Sequence, residues 1–126
     1  MLWSRIQAKS EISGRRLTMD RRERTGALGE RRLELSPLLF DLLAVLVDRP
    51  GRLVTRAELK RVLWPYAERI DTGRRLNTAV RALRVALGDD GATPRLVLTG
   101  RGRGYRWIGE QRRPLRRDHE IAEAAR

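Results

Sequence analysis

Cysteine is absent from this 126-residue chain, which excludes a disulfide framework, a thiolate metal site and a thiol nucleophile. Histidine occurs once, as His119 between Asp118 and Glu120. A lone imidazole flanked by carboxylates in a charged stretch reads as solvated. No Ser/His/Asp set, metal cluster or nucleotide motif accompanies it, so the sequence predicts neither an enzyme nor a cofactor. Long hydrophobic runs are missing as well. The longest lies around Leu42–Val47, far too short to span a bilayer. Residues 1–14 lack the apolar block and cleavage pattern of a secretory signal. These absences point to a soluble protein of the cytoplasm, associated with the nucleoid.

Lysine is scarce too: Lys9 and Lys60 are the only two, so the positive charge is carried almost wholly by arginine. Basic residues number 28 against 16 acidic, a net charge of +12. Such a field attracts polyanions, chiefly nucleic acid. The arginine-for-lysine choice, with abundant Ala and Gly, is what a GC-rich genome produces, but that bias does not explain the surplus over acids. Half of the excess lies within residues 74–106, which predicts a binding surface there.

The patterning predicts an α+β winged helix-turn-helix: a short N-terminal antiparallel sheet, three helices and a C-terminal β-hairpin wing. Residues 15–35 show short alternating fragments, Leu17/Met19 and Leu33/Leu35, separated by Gly26 and Gly29. Ser36-Pro37 is an N-cap with proline at the first helical position. Leu39, Phe40, Leu43, Leu46 and Val47 then recur at helical spacing until Pro50-Gly51. Thr55-Arg56-Ala57-Glu58 has the form of a capping box. It opens a second helix with Leu59, Val62 and Leu63 inward, closed by Pro65. After a polar loop over 65–73, the third helix runs from about Arg74 to Leu87. Leu76, Val80, Leu83 and Leu87 form one stripe, and Gly88 stands where a left-handed cap belongs. The expected organisation is a flexible extension over 1–14, the winged-helix domain over 15–109 and a charged tail over 110–126, fraying or ending in a short helix over 120–125.

Opposite its apolar stripe the third helix carries Arg74, Asn77/Thr78, Arg81 and Arg84 at three- and four-residue steps, with no acid between Arg74 and Arg84. A surface helix ordinarily mixes signs; here the repelling guanidiniums are suited to a phosphate lattice. In the major groove Arg bonds guanine in bidentate fashion and Asn bonds adenine. Arg75 either flanks this face or pairs with Asp71. Leu96–Thr99 and Tyr105–Ile108 alternate as strands around the glycines of "GRGRG", which permit a tight turn. Arg101 and Arg103 then project from a narrow tip suited to the minor groove, with Thr99 and the Tyr105 hydroxyl placed to bond phosphates. An Arg-Gly tail is excluded by the bracketing strands. A phosphate loop is excluded because no Gly-Lys-Ser/Thr follows.

Three segments, "LELSPLLFDLLAVLVDRPGRLVTRAELKRVLW", "LNTAVRALRVALGDD" and "PRLVLTGRGRGYRWI", resemble the OmpR/PhoB-type winged-helix DNA-binding domain, and the likeness runs from about Leu17 to Ile108. The third-helix version looks more like the CadC/ToxR-like branch. The resemblance implies DNA contacts by Arg74, Thr78, Arg81 and Arg84 on the reading helix and by Thr99, Arg101 and Tyr105 on the wing. Ala82 departs from the Arg of many members, and Gly100 from a branched apolar residue, which predicts fewer or different base contacts and a looser tip.

Together these readings predict sequence-specific binding of double-stranded DNA by a transcriptional regulator. Arg81, Arg84, Asn77 and Thr78 would read bases, and Arg75, Arg101 or Arg103, Thr99 and Tyr105 would hold phosphates. The other reading is a non-specific nucleic-acid-binding or nucleoid-associated protein. The resemblance further implies contact with RNA polymerase through Tyr66, Glu68, Arg69 and Ile70 of the 65–73 loop, and head-to-tail pairing on DNA by a protein that is monomeric in solution. A receiver domain or membrane span, usual in relatives, does not fit in 126 residues. The expectation is a stand-alone module, a fragment, or a protein regulated by abundance or a partner.

Overall fold

The computed structural model describes residues 16–67 and 71–112. The expectations placed on residues 1–14, Glu68, Arg69, Ile70, His119 and 120–125 lie outside the described residues. In chain order the elements are β1 (Leu17–Asp20), β2 (Thr25–Leu28), β3 (Arg31–Arg32), α1 (Pro37–Val47), β4 (Val54–Thr55), α2 (Arg56–Leu63), α3 (Thr72–Leu87), β5 (Val97–Gly100), β6 (Gly104–Trp107) and β7 (Gln111–Arg112). They fall into two compact units.

The smaller unit, residues 16–32 with 110–112, is a four-stranded sheet of order β3-β2-β1-β7. Its central hairpin turns on Asp20, whose Oδ1 accepts from the amides of Arg22 and Glu23, both at 3.0 Å. Alternation buries Leu17 and Met19 on β1 and exposes Thr18 and Asp20, the period of two that the sequence announced. Two features differ from expectation. Pairing of the third strand falls at Arg31–Arg32 rather than around Leu33/Leu35, because Leu33 is buried in the other unit. The chain also returns after the wing to add β7 parallel to β1, with Leu17 opposite Gln111, where a charged tail was expected. Parallel pairing uses main-chain groups, so Gln and Arg, poor strand formers, give no signal of it.

The larger unit, Leu33–Gly109, holds the three helices and a sheet of order β4-β6-β5. Each helix end follows from its residues. Ser36 Oγ accepts from the Leu39 amide at 3.2 Å and Pro37 occupies the first turn of α1. The capping box of α2 is complete: Thr55 Oγ1 accepts from the Glu58 amide at 3.1 Å, and Glu58 Oε1 accepts from the Thr55 amide at 3.0 Å. Helix α3 starts slightly earlier than the pattern suggests, because Asp71 caps it through Oδ1 and the Arg74 amide at 3.0 Å. Gly88, at φ 74°, ends it.

Leu42, Leu43 and Leu46 of α1, Leu59 of α2, Leu76 and Leu83 of α3, and Trp107 of β6 are all fully buried. Each such leucine contributes about 1.5–3 kcal/mol relative to an exposed one. This core fixes which side of α3 faces outward. The sheet, in turn, fixes the wing: β5 and β6 pair with Thr99 opposite Tyr105 and Gly100 opposite Gly104, while β4 pairs Val54 with Tyr105.

Candidate nucleic-acid interface

Helix α3 divides cleanly. Leu76, Ala79, Val80, Leu83 and Leu87 are buried, and Arg74, Arg75, Asn77, Thr78, Arg81, Ala82 and Val85 are exposed. The side chains of Arg75 and Arg81 make no hydrogen bond or ion pair with another described residue, and neither do those of Arg101 and Arg103 at the hairpin tip. Arg74, rather than Arg75, meets Asp71, at 3.5 Å between Nε and Oδ2. Both partners of that pair are largely exposed, so it contributes at most about 1 kcal/mol and leaves the guanidinium free to exchange partners.

Arg84 differs from the expected free base reader. Its Nη2 donates to the Val97 carbonyl at 2.7 Å and to Thr99 Oγ1 at 2.6 Å, and its guanidinium carbon stands 6.0 Å from the centre of the Tyr105 ring. The side chain is half-buried between α3 and β5. A planar fork suits this double duty, and it makes Arg84 the clasp that holds the hairpin against the reading helix. Tyr105 is largely buried, and its hydroxyl accepts from Arg56 Nη1 at 3.1 Å. Thr99 stays exposed. Because its oxygen accepts from Arg84, its own O–H remains a donor for an approaching phosphate.

Arg56 was missed by sequence reasoning. It donates through Nη2 to the Gly73 carbonyl at 3.0 Å, and its amide donates to the Arg103 carbonyl at 2.9 Å. One residue therefore ties the start of α2 to the first turn of α3 and to the wing. Its place directly after the capping threonine was the only signal, and that signal concerns helix initiation alone.

The wing's glycines have separate reasons. Gly102, at φ 70°, is the third residue of a turn closed by the Arg103 amide on the Gly100 carbonyl at 2.7 Å, a position that favours glycine. Gly104 has no such φ; a Cβ there would run into the Val54 carbonyl and lie 2.8 Å from Thr55 Cα. Gly100 lets Leu53 close in, since a Cβ there would stand 2.7 Å from Leu53 Cδ1. The space a branched side chain would need at position 100 is thus held by Leu53.

Asp89 and Asp90, near this surface, are engaged by the protein's own donors. Asp89 takes the amides of Arg95, Leu96 and Val97 at 2.8, 3.1 and 2.9 Å, fixing the start of β5. Asp90 accepts from the Ala92 amide and the Thr93 hydroxyl, and these bonds hold its carboxyl below the usual range. A concavity of about 380 Å³ between α3 and the hairpin is lined by Asn77, Arg81, Arg84, Val85, Asp89 and Tyr105, among others. Among the described residues no group of three His, Asp or Glu side chains is placed to hold a metal ion, and no helix is long and apolar enough to cross a membrane.

The sequence and fold have counterparts among known proteins. A family model described as the C-terminal part of transcriptional regulatory proteins matches residues 29–107, well over half of the chain. The chain belongs to that family. As a transcriptional regulatory C-terminal domain it is similar to the DNA-binding response regulator MtrA of Mycolicibacterium smegmatis, with 40% identity over 74 residues, 59% of this chain and 32% of that protein. It thus spans about a third of the length of the curated relatives it matches. It is also similar to the Klebsiella pneumoniae RstA DNA-binding domain solved in complex with the RstA box, at TM-score 0.65 and 28% identity over 71% of this chain and 88% of that one. A third likeness is to Thermotoga maritima DrrB, an OmpR/PhoB homologue, at TM-score 0.64 and 30% identity over 72% of this chain and 41% of that one. MtrA and DrrB are described as response regulators, and the likeness is to an OmpR/PhoB-type domain.

Proposed function

We propose that this chain binds double-stranded DNA sequence-specifically as a transcriptional regulator, with α3 in the major groove and the hairpin tip in the adjacent minor groove. The observation that carries this reading is the division of the arginines. Arg84 and Arg56 are consumed in holding helix and wing together, while Arg75, Arg81, Arg101 and Arg103 have no partner among the described residues on the parts so held. Arg81, Asn77 and Thr78 present the donors and acceptors that distinguish base pairs in the major groove. Arg75, Arg101, Arg103 and Thr99 set position on phosphates or in the minor groove. Arg84 and Tyr105 act behind them as positioning residues. The names of RstA and MtrA, a domain solved on its box and a DNA-binding response regulator, support the same reading.

The finer partners follow from that reading. Two copies pair head to tail on one site without a stable dimer in solution. The loop over 65–73, whose Tyr66 is 93% exposed, touches RNA polymerase. The protein resides in the cytoplasm with the nucleoid.

Selection of bound sites from a random DNA pool at fixed physiological salt tests the function. The expected result is one preferred sequence, bound at least about a thousand-fold more tightly than random DNA. With six to eight phosphates neutralised, log affinity should fall against log salt with a slope of roughly −5 to −7. A steep slope with no preferred sequence would show a non-specific nucleic-acid binder, and a slope near −1 would exclude nucleic acid as the partner.

A further inference from the structure

Val85 is 75% exposed although it is apolar and lies on an α-helix with a well-defined buried side. At 100° per residue, Arg74, Thr78, Arg81 and Val85 fall within an arc of about 60°. Val85 itself points within about ten degrees of the direction opposite the mean of the five buried positions. It thus occupies the centre of the outward face, one turn beyond Arg81. Neither helix propensity nor core packing accounts for it, since valine is a poorer helix former than alanine or leucine and three-quarters of its surface meets solvent. The concavity between α3 and the hairpin that Val85 lines also holds Asn77, Arg81, Arg84 and Asp89 beside Val80, Gly91 and Tyr105, so Val85 is an exposed apolar point next to charged and amide groups.

We propose that Val85 is a specificity-determining residue that packs on the 5-methyl group of a thymine, next to the base pair read by Arg81. This rests on the reading of the chain as a major-groove binder. The major groove presents one apolar feature, the thymine methyl, among hydrogen-bonding edges. A side chain with two methyls and no polar atom, at the centre of a face built, apart from the smaller Ala82, of guanidinium, amide and hydroxyl groups, matches that feature alone. Arg74 and Arg81 along the same arc attract the duplex. The contact then distinguishes thymine from cytosine, which lacks the methyl, without a hydrogen bond.

The test replaces each thymine of the selected site in turn with deoxyuridine, which removes the methyl and keeps every hydrogen-bonding edge. Binding of each duplex is measured for the parent chain, Val85→Ala and Val85→Thr, with helix content followed by circular dichroism. At one thymine per site the swap should weaken the parent about three- to ten-fold, the effect of losing one buried methyl contact. The same swap should leave Val85→Ala unchanged within about two-fold, and Val85→Thr, which keeps one methyl, should fall between. Equal losses for parent and Val85→Ala at every thymine would overturn the inference while leaving sequence-specific binding intact, as would a Val85→Ala effect confined to cooperativity between two bound copies. Absence of any preferred site would instead remove the reading on which the inference rests.

Discussion

The Arg84 guanidinium donates to the Thr99 hydroxyl at 2.6 Å, joining the last turns of α3 to the strand that leads into the wing. With its second bond to the Val97 carbonyl, this contact makes the relative placement of helix and hairpin a property of the protein before any ligand arrives. A binder whose two reading parts are already oriented loses less conformational freedom on association.

Replacing Arg84 by alanine should therefore lower stability by about 1–3 kcal/mol, the range for losing hydrogen bonds made by a charged donor. It should also weaken binding to specific and random duplexes alike. Arg84→Lys should recover only part of both effects, because an ammonium cannot reproduce the planar fork. Urea denaturation read beside duplex binding checks this. A change in base preference with unaltered stability would return Arg84 to the role of a direct reader.

Arg81→Ala should behave in the opposite way. Its side chain is exposed and unpartnered within the described protein, so the folded state should lose nothing measurable. Preference at one base pair should relax by about 1–3 kcal/mol. Arg103→Ala, by contrast, should weaken all duplexes uniformly and reduce the magnitude of the salt slope by about one. Binding titrations on a panel of single-base variants at several salt concentrations separate the two patterns.

Gly104→Ala should be more damaging than its size suggests. The added methyl points into the Val54 carbonyl and the Thr55 backbone, which cannot withdraw without breaking the pairing of β4 with β6. A loss of about 1–3 kcal/mol or more is expected from overpacking of this kind. Gly102→Ala meets no neighbouring atom and should cost about 1–2 kcal/mol through its left-handed φ alone. Thermal unfolding of the two variants gives the comparison.

Glu58 supplies a pH dependence. The Thr55 amide, then the Arg49 guanidinium at 2.8 Å, hold its carboxyl down to about 2 from an ordinary value of 4.5. A group whose folded pKa is depressed stabilises the fold fully above its unfolded value, and that contribution disappears as pH falls through the folded value. The urea midpoint of the parent should accordingly drop between about pH 5 and pH 2. Glu58→Gln should be less stable than the parent at neutral pH and should converge on it towards pH 2. Parallel denaturation curves across this range check the sign.

The helices and the wing were legible in the sequence because their causes are local. Ser36, Thr55 and Gly88 mark helix ends within a few residues of the groups they satisfy, and the Leu76–Leu87 stripe declares its buried side by spacing alone. What escaped depends on contacts between distant parts of the chain. Arg84 looked like one more arginine on a basic face, since nothing in helical spacing shows that Thr99 and the Val97 carbonyl stand within its reach. That Tyr105 is buried with Arg56 at its hydroxyl depends on the register of β4 against β6, which no local pattern shows. The glycines of the wing were read as a common need for positive φ, yet only Gly102 has one. The need at Gly104 is room for β4, which no turn rule contains. Val85 was passed over because apolar residues on a helix are ordinarily sought in the core.

Asp89 gives the arrangement a last consequence. Three amides converge on this carboxylate, the one acidic group among the residues that line the hollow between α3 and the hairpin, so most of its accepting capacity is taken by the protein's own backbone. A chain suited to an anionic polymer thereby keeps a negative charge at the margin of its reading surface without turning it on the visitor. The same charge decides where the second half of the grip begins.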